Sequence, residues 1–406
     1  MNIVFLAPFG IRPKGTVIAR MIPLAAELQN LGHRVTIIAP PYTNPEDSGK
    51  TEIIRGVTLK NIPLGPLSGA VSTPFLAHRM FWAARQERPD LVHLFKPKGY
   101  GGIAAMVDLV FRRTGFSLPP LFVDTDDWEG KGGMNDQHSY SRAERLVFDF
   151  QEKWLPPRAA GVTVASRALE EMIREMRVEP ERILYLPNCV DDVSPGNGGR
   201  VRLKLGIAAE TPVLLLYTRF FEFSQDKLHL LFAEIYQRVP SVRFLVVGQG
   251  RRGEEELLLA AGREKGFVGA LVMGGWLDPA DIVDYLAAAD VAIYPFSDTL
   301  VNRAKCPAKL TEILRARVPV VADKVGQLAE YIQPGHSGIL CDPDNRQEMV
   351  HQVVTLLNDT QRSKELGAAG REYLLTNFSW QRYAEELVVF YERLRNPVPM
   401  NKLFKQ

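Results

Sequence analysis

The residues best placed to do chemistry lie in the stretch NRAKCPAKLTEILRARVPVVADKVG, residues 302–326. Its pattern predicts a basic loop, an apolar-periodic helix and then a buried strand. Lys305 and Lys309 fall in or beside the first helical turn, where the helix dipole is already positive, so they cost stability unless an anion binds between them. Lys309 and Glu312 share one helical face, so the lysine could hold a phosphate while the glutamate accepts hydrogen bonds from hydroxyls. The alternative is a surface ion pair.

Two further loops bring glycine or positive charge to predicted strand ends. The loop PFGIRPKGT contains Gly15 and Thr16 at the start of a predicted helix, where a glycine lets a ligand approach the backbone closely. The loop YTRFFEFSQDK supplies Arg219 and Lys227. Together with the first stretch, these residues fit a nucleotide diphosphate that carries a sugar, because cations and helix amides would neutralise the diphosphate while a carboxylate takes the ribose diol.

Three other patterns are weaker candidates. The sequence GQGRRG (248–253) matches the dinucleotide fingerprint, but the carboxylates of residues 254–256 would compete with a pyrophosphate for the same helix end, so we interpret it as a tight turn. Asp124 and Asp126 form a D-x-D pattern that could hold a divalent metal on a diphosphate, or could arise by chance in an acidic loop. His93 lies within an apolar strand pattern, which favours a hydrogen-bonded core histidine.

Short apolar strands alternate with helix-length segments through the whole chain. This alternation is typical of parallel sheets covered by helices on both faces, where ligands bind outside the carboxyl ends of the strands. A turn-rich stretch at 194–200 predicts a linker, after which the alternation restarts. The sequence therefore predicts an α/β protein of two doubly wound, Rossmann-like domains that face each other across a cleft.

Composition limits the class of protein. The chain has 406 residues, which favours two domains, and 46% hydrophobic residues, which is typical of a globular protein with large cores. A net charge of +2 argues against general nucleic-acid binding. Cys189, Cys306 and Cys341 lack metal-ligand spacing and predict a reducing cytoplasm without disulfides.

The sequence shows neither a basic leader before its first strand pattern nor a run of 18–20 apolar residues. We therefore expect a cytoplasmic protein without a membrane span. Peripheral contact with the inner membrane face stays open, because residues 70–84 carry large apolar side chains among basic residues and could form an interfacial helix. The alternative is that this apolar stripe belongs to the core. The residues concerned are Phe75, Leu76, Met80, Phe81 and Trp82.

The whole chain resembles a GT-B glycosyltransferase, and is most similar to the large retaining family 4, the "glycosyl transferases group 1" set. In the second half, YTRFFEFSQDK, FLVVGQG, GGWLDPADIVDYLAAADVAIYPF and PAKLTEILRARVPVVADKVGQLAEYI follow the family in order and spacing. IPLAAELQNLGHRVTIIAP in the first half is also GT-B-like. FSWQRYAEELVVFYERL resembles the final helix, which in such folds crosses back onto the N-terminal domain.

The resemblance implies an acceptor-side domain at 1–195, to which helix 378–396 returns, and a nucleotide-sugar-binding domain at 200–377. It implies that Glu312, the second glutamate of an E-x7-E motif, holds the ribose and that Arg219 and Lys227 bind the diphosphate. The first glutamate of the motif is replaced by Ala304, which leaves the donor sugar open. The expected donor site consists of Gly15, Thr16, Arg219, Lys227, Gly248, Leu277, Lys305, Lys309, Leu310 and Glu312.

On the acceptor side, DTDDWEGKGGMND follows a predicted strand and carries acidic groups and an aromatic ring, which suit hydroxyl recognition and sugar stacking. The resemblance places Asp126 or Asp127 near the family's active-site histidine, so we expect both to act in catalysis with Arg219 and Lys227. Lys96 and Lys98 could contact an anionic acceptor, or could be solvated loop lysines. The expected acceptor-side residues are Lys96, Lys98, Trp128 and Glu129.

The sequence thus predicts a glycosyltransferase that moves a sugar from a nucleotide-diphosphate sugar, with a UDP-sugar favoured, to a hydroxyl of a glycan, a lipid-linked molecule or a small molecule. The resemblance implies front-face attack with retention, and the cationic pair and helix N-terminus suit that task without a metal or cofactor. Two alternatives are a GT-B-fold sugar-nucleotide epimerase and an inactive sugar-nucleotide-binding protein. The oligomeric state is left open.

Overall fold

A computed structural model of the protein describes residues 1–12, 15–66 and 69–395. The described chain forms two compact units. The first contains residues 1–189, the short segment 304–306 and the chain from Trp380 to residue 395, and the second contains Val190–Arg303 and Pro307–Ser379. The chain therefore leaves the first unit at Cys189, slightly before the predicted boundary at residue 195.

Within the described residues, the first unit is built on an eight-stranded sheet in the order β3-β4-β2-β1-β5-β6-β7-β8. All neighbouring pairs are parallel except β3 and β4, which pair antiparallel at the edge. The strands are β1 (Asn2–Leu6), β2 (Arg34–Ala39), β3 (Thr51–Ile54), β4 (Val57–Asn61), β5 (Leu91–Phe95), β6 (Leu121–Thr125), β7 (Gly161–Val164) and β8 (Ile183–Tyr185). The helices that alternate with these strands are α1 (Ile22–Asn30), α2 (Thr73–Gln86), α3 (Gly99–Arg113), α4 (Arg142–Trp154) and α5 (Arg167–Glu175).

The second unit repeats this plan with a six-stranded sheet, among the described residues, in the order β11-β10-β9-β12-β13-β14. Its strands all pair in parallel: β9 (Val213–Tyr217), β10 (Arg243–Val247), β11 (Leu271–Gly275), β12 (Val291–Tyr294), β13 (Val320–Asp323) and β14 (Ile339–Cys341). The helices are α6 (Gly198–Lys204), α7 (Gln225–Arg238), α8 (Glu254–Lys265), α9 (Pro279–Ala287), α10 (Leu300–Ala304), α11 (Ala308–Arg315), α12 (Leu328–Tyr331), α13 (Arg346–Asn358) and α14 (Thr360–Asn377).

The strand order of each sheet reverses once, between β1 and β5 in the first unit and between β9 and β12 in the second. Such a reversal separates the loops at the carboxyl ends of the two central strands and opens a crevice for a ligand. The central strands are apolar and buried along almost their whole length, as parallel strands covered on both faces must be. The predicted fold class of two Rossmann-like α/β domains is confirmed, while the predicted cleft between them stays a prediction.

The last described helix, α15 (Trp380–Arg395), belongs to the first unit. It packs against α1, and its Phe390 ring lies against Gly161, where a Cβ atom would approach the ring to 2.7 Å. The Tyr391 hydroxyl is hydrogen-bonded to His93 on β5 at 2.5 Å. The carboxyl-terminal helix is thus part of the core of the first unit.

Two sequence predictions differ from the structure in detail. The helix predicted to start near Thr16 begins with a π-helical turn at Val17–Met21 before α1, whose second residue, Pro23, cannot donate a backbone hydrogen bond. The predicted linker at 194–200 packs on the second unit, since a Cβ atom at Gly198 would lie 2.0 Å from the Ala287 carbonyl oxygen. Among the described residues, no helix is long and apolar enough to cross a membrane.

Candidate active site

Arg219 lies two residues beyond β9, at the edge where the strand order of the second sheet reverses. The Thr218 backbone N–H donates to the Val247 carbonyl at 3.0 Å, which extends the pairing of β9 with β10. The Thr218 carbonyl oxygen presses on Gly248, where a Cβ atom would lie only 1.9 Å away. Gly248, predicted as a ligand-contacting residue, is therefore required for the close approach of these two loops. The Arg219 guanidinium carbon lies 6.0 Å from the centroid of the Trp276 ring beyond β11.

The loop after Arg219 places a buried carboxylate beside Lys309. Glu222 is fixed through its backbone carbonyl, which accepts from the Ser297 N–H at 2.9 Å and from the Asn302 amide at 2.6 Å. Its side chain accepts a hydrogen bond from the Thr218 hydroxyl at 3.2 Å and lies 3.9 Å from the Lys309 ammonium. Lys309 is the second residue of α11, so its charge stands at the helix N-terminus as predicted.

Glu312 lies one turn further along α11 and is half-buried. It is hydrogen-bonded to the Tyr217 side chain at the end of β9, and burial together with the Glu312 charge raises the pKa of Tyr217. The Lys309 ammonium lies 5.5 Å from the centroid of the same tyrosine ring. Lys309, Glu312 and Tyr217 thus form one group at the carboxyl ends of the strands, as expected for a site that binds a phosphate and a diol.

Lys227, which was expected to bind the diphosphate, is paired with a buried carboxyl group of the protein. Its ammonium donates to Asp323 at the end of β13 at 2.5 Å and to the Pro343 carbonyl at 3.0 Å. Asp323 is almost fully buried, and burial outweighs the effect of Lys227 and raises the pKa of Asp323 to about 7. In this structure Lys227 compensates a buried carboxyl group, and its predicted role on the diphosphate stays a prediction.

The GQGRRG loop binds the glutamates that follow it. The Gly250 N–H donates to the Glu255 carboxylate and the Arg252 N–H to the Glu254 carboxylate, each at 2.6 Å. These carboxylates take backbone donors that a pyrophosphate would need. The interpretation of this stretch as a tight turn is consistent with the contacts.

The remaining predicted donor residues lie in three different settings. Lys305 precedes α11, which begins at Ala308 after the N-cap residue Pro307, so Lys305 lies beside the first helical turn rather than in it. It belongs to the short segment of the first unit in which the Ala304 carbonyl accepts from the Ser166 hydroxyl at 3.1 Å. Leu310 is buried in the core, and Leu277 is half-buried before α9.

The first unit carries a buried ionic cluster at the ends of β5 and β6. The Lys96 ammonium lies 2.8 Å from Asp126, 2.7 Å from Asp127 and 3.0 Å from Glu129. Lys96 also has a left-handed backbone, with φ of 56°, which is uncommon for a residue other than glycine. The sequence had grouped these side chains correctly, but their charges are directed at one another.

A second lysine and a fourth carboxyl group complete this cluster. The Lys98 ammonium donates to the Glu129 carboxylate at 2.8 Å and to the side-chain amide oxygen of Asn135 at 2.9 Å. The fourth carboxyl group is that of Glu152, which is fully buried and lies beside the Glu129 backbone. Neither of its oxygens makes a hydrogen bond of normal geometry. Because carboxylates surround both ammonium groups, the cluster favours hydroxyl groups over an anionic ligand, and the alternative of solvated lysines is excluded by their burial.

Burial and partners shift the pKa of Glu129 in one direction and those of Glu152 and Asp127 in the other. Burial alone would raise the pKa of Glu129, but Lys96 and Lys98 outweigh it and lower the pKa to about 2. Burial and the neighbouring Glu129 raise the pKa of Glu152 well above its usual value. Burial raises the pKa of Asp127 as well, against the effect of Lys96. One fully charged carboxylate therefore stands beside groups that hold protons more readily.

The D-x-D pattern at the end of β6 is occupied by protein side chains. Arg20 binds Asp124 through two hydrogen bonds of 2.8 and 2.6 Å, and both residues are buried. Asp126 contacts Lys96 and accepts from the Thr16 hydroxyl at 3.2 Å. No group of three or more metal-binding side chains occurs in residues 1–12, 15–66 and 69–395. These contacts favour a structural role for Asp124 over metal binding.

The buried network continues from Asp124 to His93 and confirms that this histidine is a core residue. Thr163 donates to Asp124 at 2.6 Å and is hydrogen-bonded to His93 at 3.2 Å. Burial and the charge of Arg20 lower the pKa of His93 well below its usual value, so the ring is neutral and bridges Thr163 to Tyr391. Cys189, Cys306 and Cys341 are buried and form no disulfide among the described residues.

Trp128 is a correction to the predicted acceptor side. Its ring is buried, its indole N–H donates to the Lys131 carbonyl at 3.0 Å, and Gly130 and Gly133 pack against it. A Cβ atom at Gly133 would lie 2.1 Å from the Trp128 carbonyl oxygen, so the loop is folded tightly around the tryptophan. Trp128 supports the loop and does not offer an open face for sugar stacking.

Gly15, the remaining predicted donor residue, lies just before the π-helical turn and is half-buried.

Several residues of these clusters were missed by sequence reasoning. Asp323 ends a predicted strand, and Asn135 lies within the quoted loop DTDDWEGKGGMND. The rule that directed us to other strand ends could therefore have included both. Glu222 lies inside the quoted loop YTRFFEFSQDK, where its charge among phenylalanines was a usable signal. Arg20 and Glu152 lie inside helices, and nothing in their local sequence distinguishes them from surface charges.

Two protein families match this chain, one in each unit. Residues 15–189 match the "Glycosyl transferase 4-like domain" family, and residues 211–359 match "Glycosyl transferases group 1". A mannosyltransferase from Mycolicibacterium hassiacum, named MMP alpha-(1->4)-mannosyltransferase, is 28% identical over 57% of this chain and 53% of its own length. The chain thus spans about half the length of the first curated relatives it matches.

Solved structures share the fold over nearly the whole chain. Sucrose-phosphate synthase from Thermosynechococcus elongatus superposes with a TM-score of 0.74 at 19% identity, covering 97% of this chain and 99% of that protein. Anabaena HepE, solved in complex with UDP, superposes with a TM-score of 0.71 at 20% identity, covering 97% and 100%. The chain belongs to the GT-B glycosyltransferase family, with a glycosyl transferase 4-like domain followed by a group 1 domain.

Proposed function

We propose that the protein transfers a sugar from a nucleotide-diphosphate sugar to an acceptor hydroxyl. The observation that carries this proposal is the group at the carboxyl ends of the second sheet, where Arg219 and Lys309 supply positive charge and Glu312 supplies a carboxylate. A diphosphate and a ribose diol require that combination. The UDP bound in the structure of Anabaena HepE supports a UDP-sugar as the donor.

The chemistry we propose depends on charge stabilisation and positioning. As the glycosidic bond breaks, negative charge grows on the departing diphosphate, so Arg219 and Lys309 interact more strongly with the transition state than with the bound donor. The acceptor hydroxyl attacks the same face that the diphosphate leaves, and the diphosphate takes its proton, which gives retention. The resemblance to retaining family 4 supports this stereochemistry.

On the acceptor side we propose Asp127 as the group that orients the attacking hydroxyl. Its side chain is the most exposed of the carboxylates around Lys96, at 19%, and its ion pair with Lys96 fixes its direction. Glu129 and Asp126 are more deeply buried and hold Lys96 in place. A glycan, a lipid-linked molecule or a small molecule could supply the hydroxyl. Lys96 and Lys98 act here by holding these carboxylates.

A panel of nucleotide sugars tests the proposal. The purified protein is incubated with UDP-, GDP-, ADP- and TDP-sugars together with mixed acceptors, and free nucleoside diphosphate and glycosylated product are measured. We expect diphosphate release coupled to product formation with a UDP-sugar. Epimerised donor without free diphosphate would identify the epimerase, and binding without turnover would identify an inactive binding protein. Proton NMR of the product's anomeric coupling reports retention or inversion.

We also propose that turnover needs no metal ion, because the cations near the strand ends already oppose the charge of the leaving group. Activity is expected to be the same in EDTA as in Mg²⁺ or Mn²⁺. Turnover that is lost in EDTA and returns with a divalent cation would contradict this part of the proposal. Asp126 and Asp127 would then be the first carboxylates to replace.

Peripheral membrane contact is the remaining part of the proposed function. Helices α2 and α3 expose Phe75, Trp82, Val110 and Phe111, and Phe116 follows directly, with its ring 5.4 Å from Phe111. Helix α2 has no acidic residue, and the single acid of α3, Asp108, is buried and paired with Arg85 and Arg112. This α2–α3 surface, apolar and basic without an exposed carboxylate, has the composition of a face that binds anionic lipid.

Vesicle sedimentation tests this surface. We expect the protein to bind vesicles that contain phosphatidylglycerol more strongly than phosphatidylcholine vesicles. Replacing Trp82 and Phe116 by alanine should weaken binding, whereas Leu203→Ala, which removes an apolar side chain that is 84% exposed on the second unit, should not. Equal binding of all three proteins would exclude the surface. Concentration-dependent self-association that the double variant abolishes would identify it as a contact between copies instead.

A further inference from the structure

The GQGRRG loop is the sequence motif that the proposed function leaves unused. Its backbone is fixed by the carboxylates of Glu254 and Glu255, which accept from Arg252 and Gly250, and by the left-handed Gly253, with φ of 79°. A loop held in this way presents its two arginine side chains from a defined backbone. The question is which ligand could use them.

Arg251 extends toward the loop that carries Arg219. Its guanidinium carbon lies 5.5 Å from the centroid of the Phe221 ring, two residues beyond Arg219. The two loops touch, because the Thr218 carbonyl packs directly on Gly248, and they leave neighbouring strands whose last residues, Tyr217 and Val247, are in register. Adjacent strand ends thus bring two arginines to the same edge of the sheet.

The electrostatics of this edge agree with the geometry. Partial burial and the positive charge of Arg219 lower the pKa of Arg251, while Glu222 acts in the opposite direction. Two guanidinium groups that feel each other's charge gain from an anion placed between them. A diphosphate offers two phosphate groups whose oxygens can each take an arginine fork.

The expected partner of Arg219 is engaged elsewhere, since Lys227 donates to Asp323 and to the Pro343 carbonyl. We propose that Arg251 is a diphosphate-binding residue of the donor site and acts together with Arg219. This inference rests on the proposed function. It places the second arginine of the donor site on the GQGRRG loop. The glutamates after this loop occupy the backbone donors that a dinucleotide would need, but they leave the Arg251 side chain to the donor diphosphate.

Calorimetric titration with UDP and UMP tests the inference with a control from the same loop. Arg251→Gln should weaken UDP binding at least roughly tenfold, the effect of losing a hydrogen bond to a charged group, and should weaken UMP binding less. Arg252→Gln, which replaces the adjacent and also exposed arginine, should change UDP affinity less than about twofold, because the contact with Phe221 beside Arg219 is made by Arg251 and a surface charge alone acts weakly. Arg251→Lys should recover part of the affinity, which a purely structural role would not predict.

The outcomes separate the inference from the proposed function. If the wild-type protein binds UDP and Arg251→Gln binds it equally well, Arg251 is outside the site while the function stands. Equal losses in Arg251→Gln and Arg252→Gln would also overturn the inference, since they indicate a general charge effect. If the wild-type protein binds none of UDP, GDP, ADP and TDP, the donor site itself is refuted. Thermal unfolding of each variant verifies that it is folded.

Discussion

The two units place charged residues at the same position of the same fold but balance them differently. At the ends of β5 and β6, two lysines are held among four carboxyl groups, and Lys96 and Lys98 are 6% and 10% exposed. At the ends of β9 and β10, Arg219 and Arg251 feel each other's charge beside the buried Glu222, and Arg251 is exposed at the surface. The first arrangement fixes its carboxylates in place, and the second leaves positive charge at the surface.

In the proposed function, this difference lets the two units bind two kinds of ligand. Carboxylates held by buried ammonium groups accept hydrogen bonds from neutral hydroxyls without moving, because their positions are already fixed. Cations on the rim of a strand end attract a diphosphate from solution. Four experiments test whether the two clusters differ in this way. The strictest test concerns the Lys227–Asp323 pair, because it lies in the second unit but is buried like the first cluster.

Replacing Lys227 by methionine should produce the largest loss of stability. Removing one partner of a buried ion pair costs about 3–5 kcal/mol in unfolding free energy. The pKa of Asp323 is already raised to about 7, so without the lysine it should bind a proton even at higher pH. When the pKa of a carboxyl group is higher in the folded than in the unfolded protein, the free energy of unfolding falls as the pH rises from the unfolded pKa toward the folded one.

Urea unfolding between pH 5 and pH 8.5 measures this effect. The deficit of Lys227→Met relative to wild type should grow with pH, and the double variant with Asp323→Asn should lose that pH dependence. If Lys227→Met is as stable as wild type but loses UDP binding, Lys227 belongs with the exposed cations. Its predicted role on the diphosphate would then be supported.

Arg219→Ala should have the largest effect on turnover. Losing one preorganised donor to a developing charge lowers kcat by roughly 10²–10³-fold, or about 2.7–4 kcal/mol. The donor KM should rise less than kcat falls, because the interaction strengthens in the transition state. Steady-state kinetics at saturating acceptor measure both constants, with Arg238→Ala, at the exposed end of α7, as the control. An unchanged kcat with a raised KM would limit Arg219 to binding.

Acid should weaken the first unit through Glu129. Its folded pKa of about 2 lies below the ordinary value of 4.5, so it contributes stability above pH 4.5 that is lost as pH falls toward 2. The contribution is on the order of 3 kcal/mol at neutral pH, and about half of it remains at pH 3. Unfolding of Glu129→Gln between pH 7 and pH 3 should show a deficit that shrinks on acidification.

The control for this measurement is Glu175→Gln on the exposed face of α5, which should leave the pH dependence of unfolding unchanged. A deficit of Glu129→Gln that stays constant from pH 7 to pH 3 would mean that Glu129 is not held charged by the lysines. The contrast between the two units would then lose its physical basis.

Much of both clusters could be predicted because strand ends are visible in the sequence. Runs such as VLLLY and LVHLF identify buried parallel strands, and the polar residues that follow them must lie at one edge of a sheet. This rule found Arg219, Lys96 and Asp126. A second argument found Lys309. A basic residue at the start of an amphipathic helix is unfavourable next to the positive end of the helix dipole unless an anion binds there.

The partners of these residues could not be predicted, because they are set by contacts between distant segments. Lys227 pairs with Asp323 across 96 residues, and Arg20 pairs with Asp124 across 104. The sequence places each charge at a strand end or on a helix but gives no distance between them. Trp128 was misjudged for the same reason, since only the folded loop shows Gly130 and Gly133 closing over its ring.

Glu312→Ala is the smallest expected effect and the most specific test of the second cluster. If Glu312 holds the ribose diol, its loss should weaken binding of UDP and of the UDP-sugar alike, by about 1.5–3 kcal/mol, the range for a hydrogen bond to a charged group. Calorimetry with both ligands measures this, and Glu264→Ala, a glutamate 75% exposed on the same unit, is the control. A loss for the UDP-sugar alone would move Glu312 from the ribose to the transferred sugar. Unchanged affinity for both ligands would remove it from the site.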